Sequence, residues 1–213
     1  MNQNILSLIC SYIFIFAVIA VAFILFRFAH LSKETTRKLI HIGVSNWVFI
    51  LIYGIDSLPY ALTGPVSFMI INAAFVYSGA AKLLGMGDRK RDNGLIYFPF
   101  SLIIMVLLYY NGMVASYDVI AGTLVMGYGD GLAALIGSKA GRHKYSVLNA
   151  SKSWEGTAVM LAVSLIVLAV FTPYPFMKVL VIACVATFFE AVTPLGLDNI
   201  TVPILTTILG SLI

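Results

Sequence analysis

Residues 5–29 read ILSLICSYIFIFAVIAVAFILFRFA, an apolar run whose only charged residue is Arg27. The hydrocarbon core of a bilayer is about 30 Å thick, so a helix needs about 20 apolar residues to cross it. No Lys or Arg precedes the run, and it is followed by His30 and charged residues rather than by a small-residue cleavage site. We therefore predict a retained membrane-spanning helix and not a secretory signal.

The composition extends this prediction to the whole chain of 213 residues, which is 61% hydrophobic and 10% charged, with a mean hydropathy of +0.99. These values exceed those of soluble domains. Apolar runs between polar breaks predict spans near residues 5–29, 39–55, 58–79, 95–111, 118–137, 155–172, 175–193 and 200–213. The last run is short and contains Pro203. We expect an all-α, polytopic membrane helix bundle of about seven or eight transmembrane helices, with residues 1–213 forming a single integral membrane domain.

The formal net charge of +4 bears on orientation, because Lys and Arg concentrate in the cytoplasmic loops of membrane proteins. Alternating the predicted spans places most of the basic residues on one side: Arg27, Lys33, Arg37, Lys38, Lys82, Arg89, Lys90, Arg91, Lys139, Arg142, Lys144 and Lys152. We expect that side to be the cytoplasm, the N-terminus to lie outside, and the protein to be a multi-pass protein of the cell membrane. A nucleic-acid partner is not expected.

Residues 127–144, GYGDGLAALIGSKAGRHK, join an apolar span to a basic loop. Asp130, Ala133, Gly137 and Gly141 follow one another at helical spacing, so they predict a stripe of small residues with one carboxylate. Close helix packing through small residues is the alternative explanation of the stripe. A carboxylate at membrane depth is costly and needs a partner or a metal, so we predict that Asp130 is a metal ligand.

Residues 151–157, SKSWEGT, precede the next apolar run and predict a helix N-terminus. Free backbone N–H groups and the positive end of the helix dipole favour an anion there. Lys152 and the hydroxyl groups of Ser151 and Ser153 add donors, so phosphate is the predicted ligand. A serine cap beside an interfacial lysine is the alternative.

Two further polar groups interrupt apolar sequence. Arg37, Lys38 and His41 open the second span, and Arg37 and His41, four residues apart, share one helix face. This cluster could bind a phosphate or anchor the helix at the interface. Residues 190–203, EAVTPLGLDNITVP, combine Glu190 with Asp198 and Asn199 in a proline-bounded break. A buried Glu followed by Asp-Asn at the same membrane level exceeds what a loop requires, so we assign this segment to the site.

These stretches resemble the membrane family of phytol kinase, dolichol kinase and CTP-dependent diacylglycerol kinase, which is distantly related to phosphatidate cytidylyltransferases. The family pattern D-x-x-A-x-x-x-G-x-x-x-G followed by K-K-T-x-E-G is matched by residues 130–141 and 151–156, although Ser151 and Ser153 replace the first Lys and the Thr. Residues 37–41 resemble the R-K-x-x-H of the phytol kinase branch, and residues 198–203 its D-N-x-T-x-P. The C-terminal cytidylyltransferase signature has no counterpart.

The resemblance implies a CTP-dependent kinase that phosphorylates a lipid alcohol (polyprenol, phytol, dolichol-like or diacylglycerol) at the cytoplasmic face, with Mg²⁺ as cofactor. It implies catalytic roles for Asp130, Lys152, Glu190 and Asp198, and metal binding by Asp130 and Glu155. The nucleotide-binding residues would be Gly137, Lys139, Gly141, Lys144, Ser151, Lys152, Ser153, Glu155, Arg37, His41 and Asn199. Glu190 and Asp198 remain alternatives as acceptors of the alcohol proton. A phosphatidate cytidylyltransferase and an ion-coupled transporter using Asp130 and Glu190 are the alternative functions.

Overall fold

The fold is an almost entirely helical bundle, which a computed structural model describes over residues 2–79, 92–147, 150–194 and 196–213. In chain order its helices are α1 (Gln3–Phe28), α2 (Lys33–Ser45), α3 (Trp47–Gly54), α4 (Leu58–Tyr77), α5 (Gly94–Tyr110), α6 (Ser116–Leu124), a π-helical segment (Val125–Asp130), α7 (Gly131–Ala140), α8 (Trp154–Phe171), α9 (Phe176–Val192) and α10 (Asp198–Leu212). Two antiparallel strands, β1 (Lys144–Val147) and β2 (Ala150–Ser153), come between α7 and α8. The predicted all-α fold class is confirmed.

Four of the described helices are long and apolar enough to cross a membrane, namely Gln3–Phe28, Leu58–Tyr77, Ser116–Ala140 and Trp154–Phe171. Helices α5 and α9 are apolar but shorter. Four cations used in the orientation argument lie outside the described residues: Lys82, Arg89, Lys90 and Arg91. The count of seven or eight spans and the outward N-terminus therefore stay predictions.

The span predicted near residues 39–55 is interrupted at Asn46, which separates α2 from α3. The Asn46 side-chain amide donates to the backbone carbonyls of Ile42, at 2.9 Å, and Gly43, at 3.2 Å. Its amide oxygen accepts a hydrogen bond of 3.0 Å from the Tyr128 hydroxyl. Asn competes with the helix backbone for hydrogen bonds, so this side chain stabilises the break and ties it to the central helix.

Helix α2 begins at Lys33, ahead of the predicted residue 39. Ser32 is its N-cap, and the Ser32 Oγ accepts the Thr35 N–H at 3.1 Å, which satisfies one of the free donors of the first turn. The additional turns carry Glu34 and Arg37, whose side chains pair at 2.8 Å. Helix α2 therefore brings a charged segment to one end of the bundle.

The helix Ser116–Ala140 runs through the centre of the bundle and packs against α2, α8 and α10. Its π-helical segment is wider than an α-helix because hydrogen bonds run from residue i to i+5. A Cβ atom on Gly127 would overlap Ser45 of α2, and one on Gly129 would lie 2.5 Å from Met160 Sδ of α8. The two glycines therefore let α2 and α8 approach the segment that ends at Asp130.

The hairpin of β1 and β2 is a feature that the sequence analysis did not predict. Lys144 pairs with Ser153, and Tyr145 pairs with Lys152. Residues 151 and 152 were predicted to start a helix, but they lie on β2, and α8 begins at Trp154. The helix start itself is confirmed, since Ser153 Oγ accepts the Gly156 N–H at 3.1 Å.

Candidate active site

Three carboxylates from distant parts of the chain meet beside the central helix. Asp130 ends the π-helical segment, Glu190 lies in the last turn of α9, and Asp198 is the first residue of α10. One carboxylate oxygen from each residue lies within 4.8 Å of one from each of the others, and the three residues are 4%, 6% and 9% exposed. Buried like charges at this separation repel, so the cluster requires cations.

Two lysines supply positive charge to this carboxylate cluster. Lys38 Nζ lies 2.5 Å from Asp130 Oδ2, and Lys152 Nζ lies 2.7 Å from Glu190 Oε1 and donates to the Glu190 backbone carbonyl. Asp198 forms no ion pair with any residue in the described ranges, and its Oδ1 accepts the Asn199 N–H at 2.9 Å. The cluster therefore has one more carboxylate than ammonium group and still attracts a further cation.

The face of α2 that meets the cluster differs from the predicted one. Lys38 and His41, three residues apart, face Asp130, with His41 Nε2 at 4.0 Å from Asp130 Oδ2. Arg37, paired in the prediction with His41, binds Glu34 instead. The role of Lys38 was missed, although the three-residue spacing to His41 is equally compatible with a shared helix face.

A polar cavity of about 680 Å³ opens beside the carboxylate cluster. This volume falls in the range of small-molecule sites. The predicted site residues that line it are Arg37, Asp130, Gly137, Lys144, Ser151, Lys152, Ser153, Glu190, Asp198 and Asn199. The structure therefore brings the predicted carboxylates and most of the predicted phosphate-binding residues to one cavity, together with Glu34 and Thr193, which the sequence analysis did not assign.

The stripe of small residues serves close helix packing. A Cβ atom on Gly137 would lie 2.7 Å from Ser153 Oγ and 3.4 Å from the Gly156 Cα, and one on Gly156 would lie 2.9 Å from the Ala133 carbonyl oxygen. Helix α7 therefore contacts the start of α8 almost backbone to backbone. Gly137 lines the cavity as well, so the packing also fixes the cavity wall.

Four predicted nucleotide-binding residues do not line the polar cavity. Lys139 is exposed, and Gly141 faces Ser153 in the packing of α7 on α8. His41 lines a different, apolar cavity. Glu155, also predicted to bind the metal, is engaged elsewhere.

Glu155 holds the start of the hairpin. Its Oε1 accepts the N–H groups of Arg142 and His143, both at 3.1 Å, and lies 2.8 Å from His143 Nδ1. These contacts occupy the partly exposed Glu155 carboxylate, which is not part of the cluster that Asp130 forms with Glu190 and Asp198, so Glu155 does not fit a metal site with Asp130. The carboxylates that fit are Glu190 and Asp198, which the sequence analysis had placed in the site for other chemistry.

Comparison with known proteins adds one match. The chain is 32% identical over 196 residues to a protein named Phytol kinase from Synechocystis sp.. The alignment covers 88% of this chain and 83% of that protein. No family model matches the chain, and no solved structure matches it.

Proposed function

The chain belongs to the phytol kinase family, and from this membership we propose that it transfers the γ-phosphoryl group of CTP to the hydroxyl of a lipid alcohol. Membership makes it a kinase of the lipid-alcohol class, and phytol and polyprenols are the proposed substrates. In the reaction the alcohol oxygen forms a bond to the γ-phosphorus, and the bond from that phosphorus to the bridging oxygen breaks. CDP leaves, and the hydroxyl proton passes to a carboxylate.

The observation that carries this proposal is the cluster of Asp130, Glu190 and Asp198 in the wall of the polar cavity. Phosphoryl transfer is catalysed mainly by positioning and by offsetting charge on the phosphate oxygens. A cavity that combines three carboxylates with basic side chains offers a site for a divalent cation next to a site for phosphates.

The carboxylate cluster fits Mg²⁺, because this ion prefers oxygen ligands and is commonly held by one or two carboxylates together with substrate phosphates. Asp130 and Glu190 are the proposed ligands, and Asp198 lies beside them as the carboxylate left for the hydroxyl proton. Held by these carboxylates, Mg²⁺ would supply positive charge that offsets the negative charge of the phosphates.

The basic residues of the cavity would bind the phosphates. Lys38 and Lys152 pair with carboxylates, and each ammonium group can turn towards a phosphate that enters the cavity. Arg37 and Lys144 line the same cavity. The α8 N-terminus, where Ser153 is the cap, adds the positive end of a helix dipole.

Asp198 is the proposed acceptor of the hydroxyl proton. Lys38 engages Asp130 and Lys152 engages Glu190, whereas Asp198 has no ion pair with any described residue. A carboxylate without an ammonium partner is the better base, because a nearby positive charge favours its deprotonated form. Of the two alternatives, Glu190 and Asp198, Asp198 is therefore the one that we propose.

The test of the proposed reaction uses labelled CTP with the purified chain, Mg²⁺ and a panel of lipid alcohols. With γ-labelled CTP, label should enter the lipid and CDP should appear; with α-labelled CTP, the lipid should stay unlabelled. Entry of the α-label with release of pyrophosphate would replace the kinase by a cytidylyltransferase. ATP in parallel reactions tests the nucleotide, and transfer from ATP alone would overturn the choice of CTP.

We propose that the polar cavity faces the cytoplasm, because the basic residues Lys144 and Lys152 line it. Two further basic residues precede them, Lys139 in the last turn of α7 and Arg142 just after that helix. A cysteine introduced at Lys144 should be protected in intact cells from an impermeant thiol reagent, whereas one at Asn111 should react. Labelling of position 144 from outside would overturn the orientation.

A further inference from the structure

A second cavity, apolar and of about 130 Å³, lies among α1, α2, α4 and α5. Its walls are mostly hydrocarbon, with Ile19 from α1, Val44 from α2, Phe68 from α4 and Leu102 from α5. Arg37, Lys38, Asp130 and Asn199 line this apolar cavity and the polar cavity alike. The two cavities therefore meet at the carboxylate cluster.

The end of the apolar cavity near Asp130 contains an unsatisfied polar group. His41 Nε2 is buried, lines the cavity side of α2, and has no hydrogen-bond partner among the described residues. The indole nitrogen of Trp47, also in the lining, is likewise buried and without a partner in those ranges. Leaving buried polar atoms without partners is destabilising, so a ligand with a hydroxyl group would be stabilised here.

Where α4 and α5 form the wall of the apolar cavity, a proline in α5 frees a backbone carbonyl that α4 then binds. Pro99 lacks an N–H group, which leaves the Leu95 carbonyl without its helical partner. Asn72 Nδ2 donates to that carbonyl at 2.8 Å, which ties α4 to α5. Pro65, inside α4, lines the cavity as well. This part of the wall is therefore held by specific contacts and does not depend on a ligand for its shape.

We propose that the apolar cavity binds the head end of the lipid alcohol, with its hydroxyl group hydrogen-bonded to His41 and directed at the shared wall. This inference rests on the proposed kinase function. The cavity is smaller than the range of about 300–1,000 Å³ for drug-sized ligands, so it holds part of one chain and excludes the two acyl chains of diacylglycerol. The occupant is a single-chain alcohol whose remaining carbons lie in the bilayer.

The site can be located without turnover by photo-crosslinking. The purified chain in lipid nanodiscs is irradiated with a single-chain isoprenoid alcohol that carries a diazirine next to the hydroxyl carbon, and labelled peptides are identified by mass spectrometry. Label should fall on α2 and α5 residues of the cavity, such as Val44 and Leu102, and unlabelled phytol should compete. Label confined to other faces, or equal competition by diacylglycerol, would overturn the proposal.

A matched pair of variants on α1 supplies the kinetic test. Ile19 lines the cavity, whereas Ile13 on the same helix is 64% exposed. Ile19→Phe should raise KM for the alcohol roughly tenfold, because added volume crowds the chain, and should leave KM for the nucleotide unchanged. Ile13→Phe should leave both values unchanged. Equal effects of the two variants would contradict the assignment.

Substitution of His41 tests the hydroxyl end. His41→Leu should abolish the crosslink in the cavity that phytol competes away. His41→Gln, which keeps hydrogen-bonding atoms, should retain most of that crosslink. Identical behaviour of both variants and the parent chain would remove His41 from the site. If the parent chain phosphorylates no alcohol while the crosslinks map to the cavity, the proposed function fails and the binding site stands. If the parent chain phosphorylates an alcohol but the crosslinks map elsewhere, the proposed function stands and the binding site fails.

Discussion

Asp118 and Asp130 are two buried carboxylates on the same central helix, about 18 Å apart along its axis, and their surroundings differ in kind. Asp130 pairs with the Lys38 ammonium group and lines both cavities. Asp118, only 1% exposed, accepts hydrogen bonds from hydroxyl groups and a backbone N–H, and it lines neither cavity. The comparison separates a carboxylate available to a ligand from one that is fully engaged.

The contacts of Asp118 join three elements. Its Oδ1 accepts the Tyr174 hydroxyl, and its Oδ2 accepts Ser211 Oγ at 2.7 Å and the Ala115 N–H at 3.0 Å. Burial, together with the hydrogen bond to Asp118, raises the pKa of the Tyr174 hydroxyl well above its ordinary value. Tyr174 therefore remains a protonated hydrogen-bond donor to Asp118 across the physiological pH range.

The largest expected effect is the loss of turnover in Asp130→Asn. The substitution keeps size and polarity but removes a charge from the proposed metal site, and kcat should fall about a hundredfold or more. Asp118→Asn is the matched control at the other carboxylate, and its kcat per folded molecule should be unchanged. Steady-state kinetics with a parallel thermal unfolding scan measures both. A similar fall in kcat for the two variants would contradict the assignment of Asp130 to catalysis and Asp118 to structure.

A comparable loss is expected for Lys152→Ala, by about a hundredfold in kcat/KM, because an ammonium group that would offset phosphate charge is removed. Lys178 is the control cation, since it lies 3.5 Å above the Tyr174 ring centroid, in the neighbourhood of Asp118. Lys178→Ala should retain full activity. If Lys152→Ala is as active as Lys178→Ala, Lys152 has no phosphate-binding role.

Asp118→Ala should affect folding and not chemistry. Tyr174 and Ser211 would lose a buried acceptor, and the free energy of unfolding should fall by about 1–3 kcal/mol. Thermal unfolding in detergent, compared with kcat for the alcohol at a temperature where the variant is folded, separates the two quantities. Unchanged stability combined with a lower kcat would show that Asp118 belongs with Asp130.

The smallest effect is expected for Glu155→Gln, with kcat changed by less than about threefold, because exposed ion pairs contribute little. The variant loses the charge that faces His143 but keeps an oxygen for the N–H groups of Arg142 and His143. Kinetics at several Mg²⁺ concentrations provides the measurement. A loss as large as that of Asp130→Asn would restore Glu155 to the metal site.

Hydropathy predicted the long elements well because burial in lipid extends over many consecutive residues. The spans predicted near residues 5–29, 58–79 and 155–172 correspond closely to α1, α4 and α8. The break at Asn46 was not predictable in this way, because one side chain stabilises it through contacts with Ile42 and Tyr128. Hydropathy also carries no signal for a short hairpin in a polar connection.

The site was predictable in its residue types but not in its pairings. Asp130, Glu190 and Asp198 stood out because carboxylates are rare in apolar sequence. The choice between Arg37 and Lys38 as the cation facing Asp130 depends on the rotation of α2 about its axis. Packing sets that rotation: a Cβ atom on Gly131 would lie only 2.4 Å from Ile42 Cγ1, so α2 can pack this closely only because residue 131 is a glycine. This long-range contact cannot be read from local sequence spacing.

The π-helical segment sets the direction in which the side chains beyond it point from the central helix. Each α-helical residue advances the side-chain direction by about 100°, so a chain lacking one residue between Val125 and Asp130 would form an ordinary α-helix turned by about that angle beyond the deletion. Asp118, which precedes the segment, would keep its hydroxyl partners, while Asp130 would point away from Lys38. A single inserted residue is thus enough to direct one end of the central helix towards the carboxylate cluster while the contacts at its other end stay unchanged.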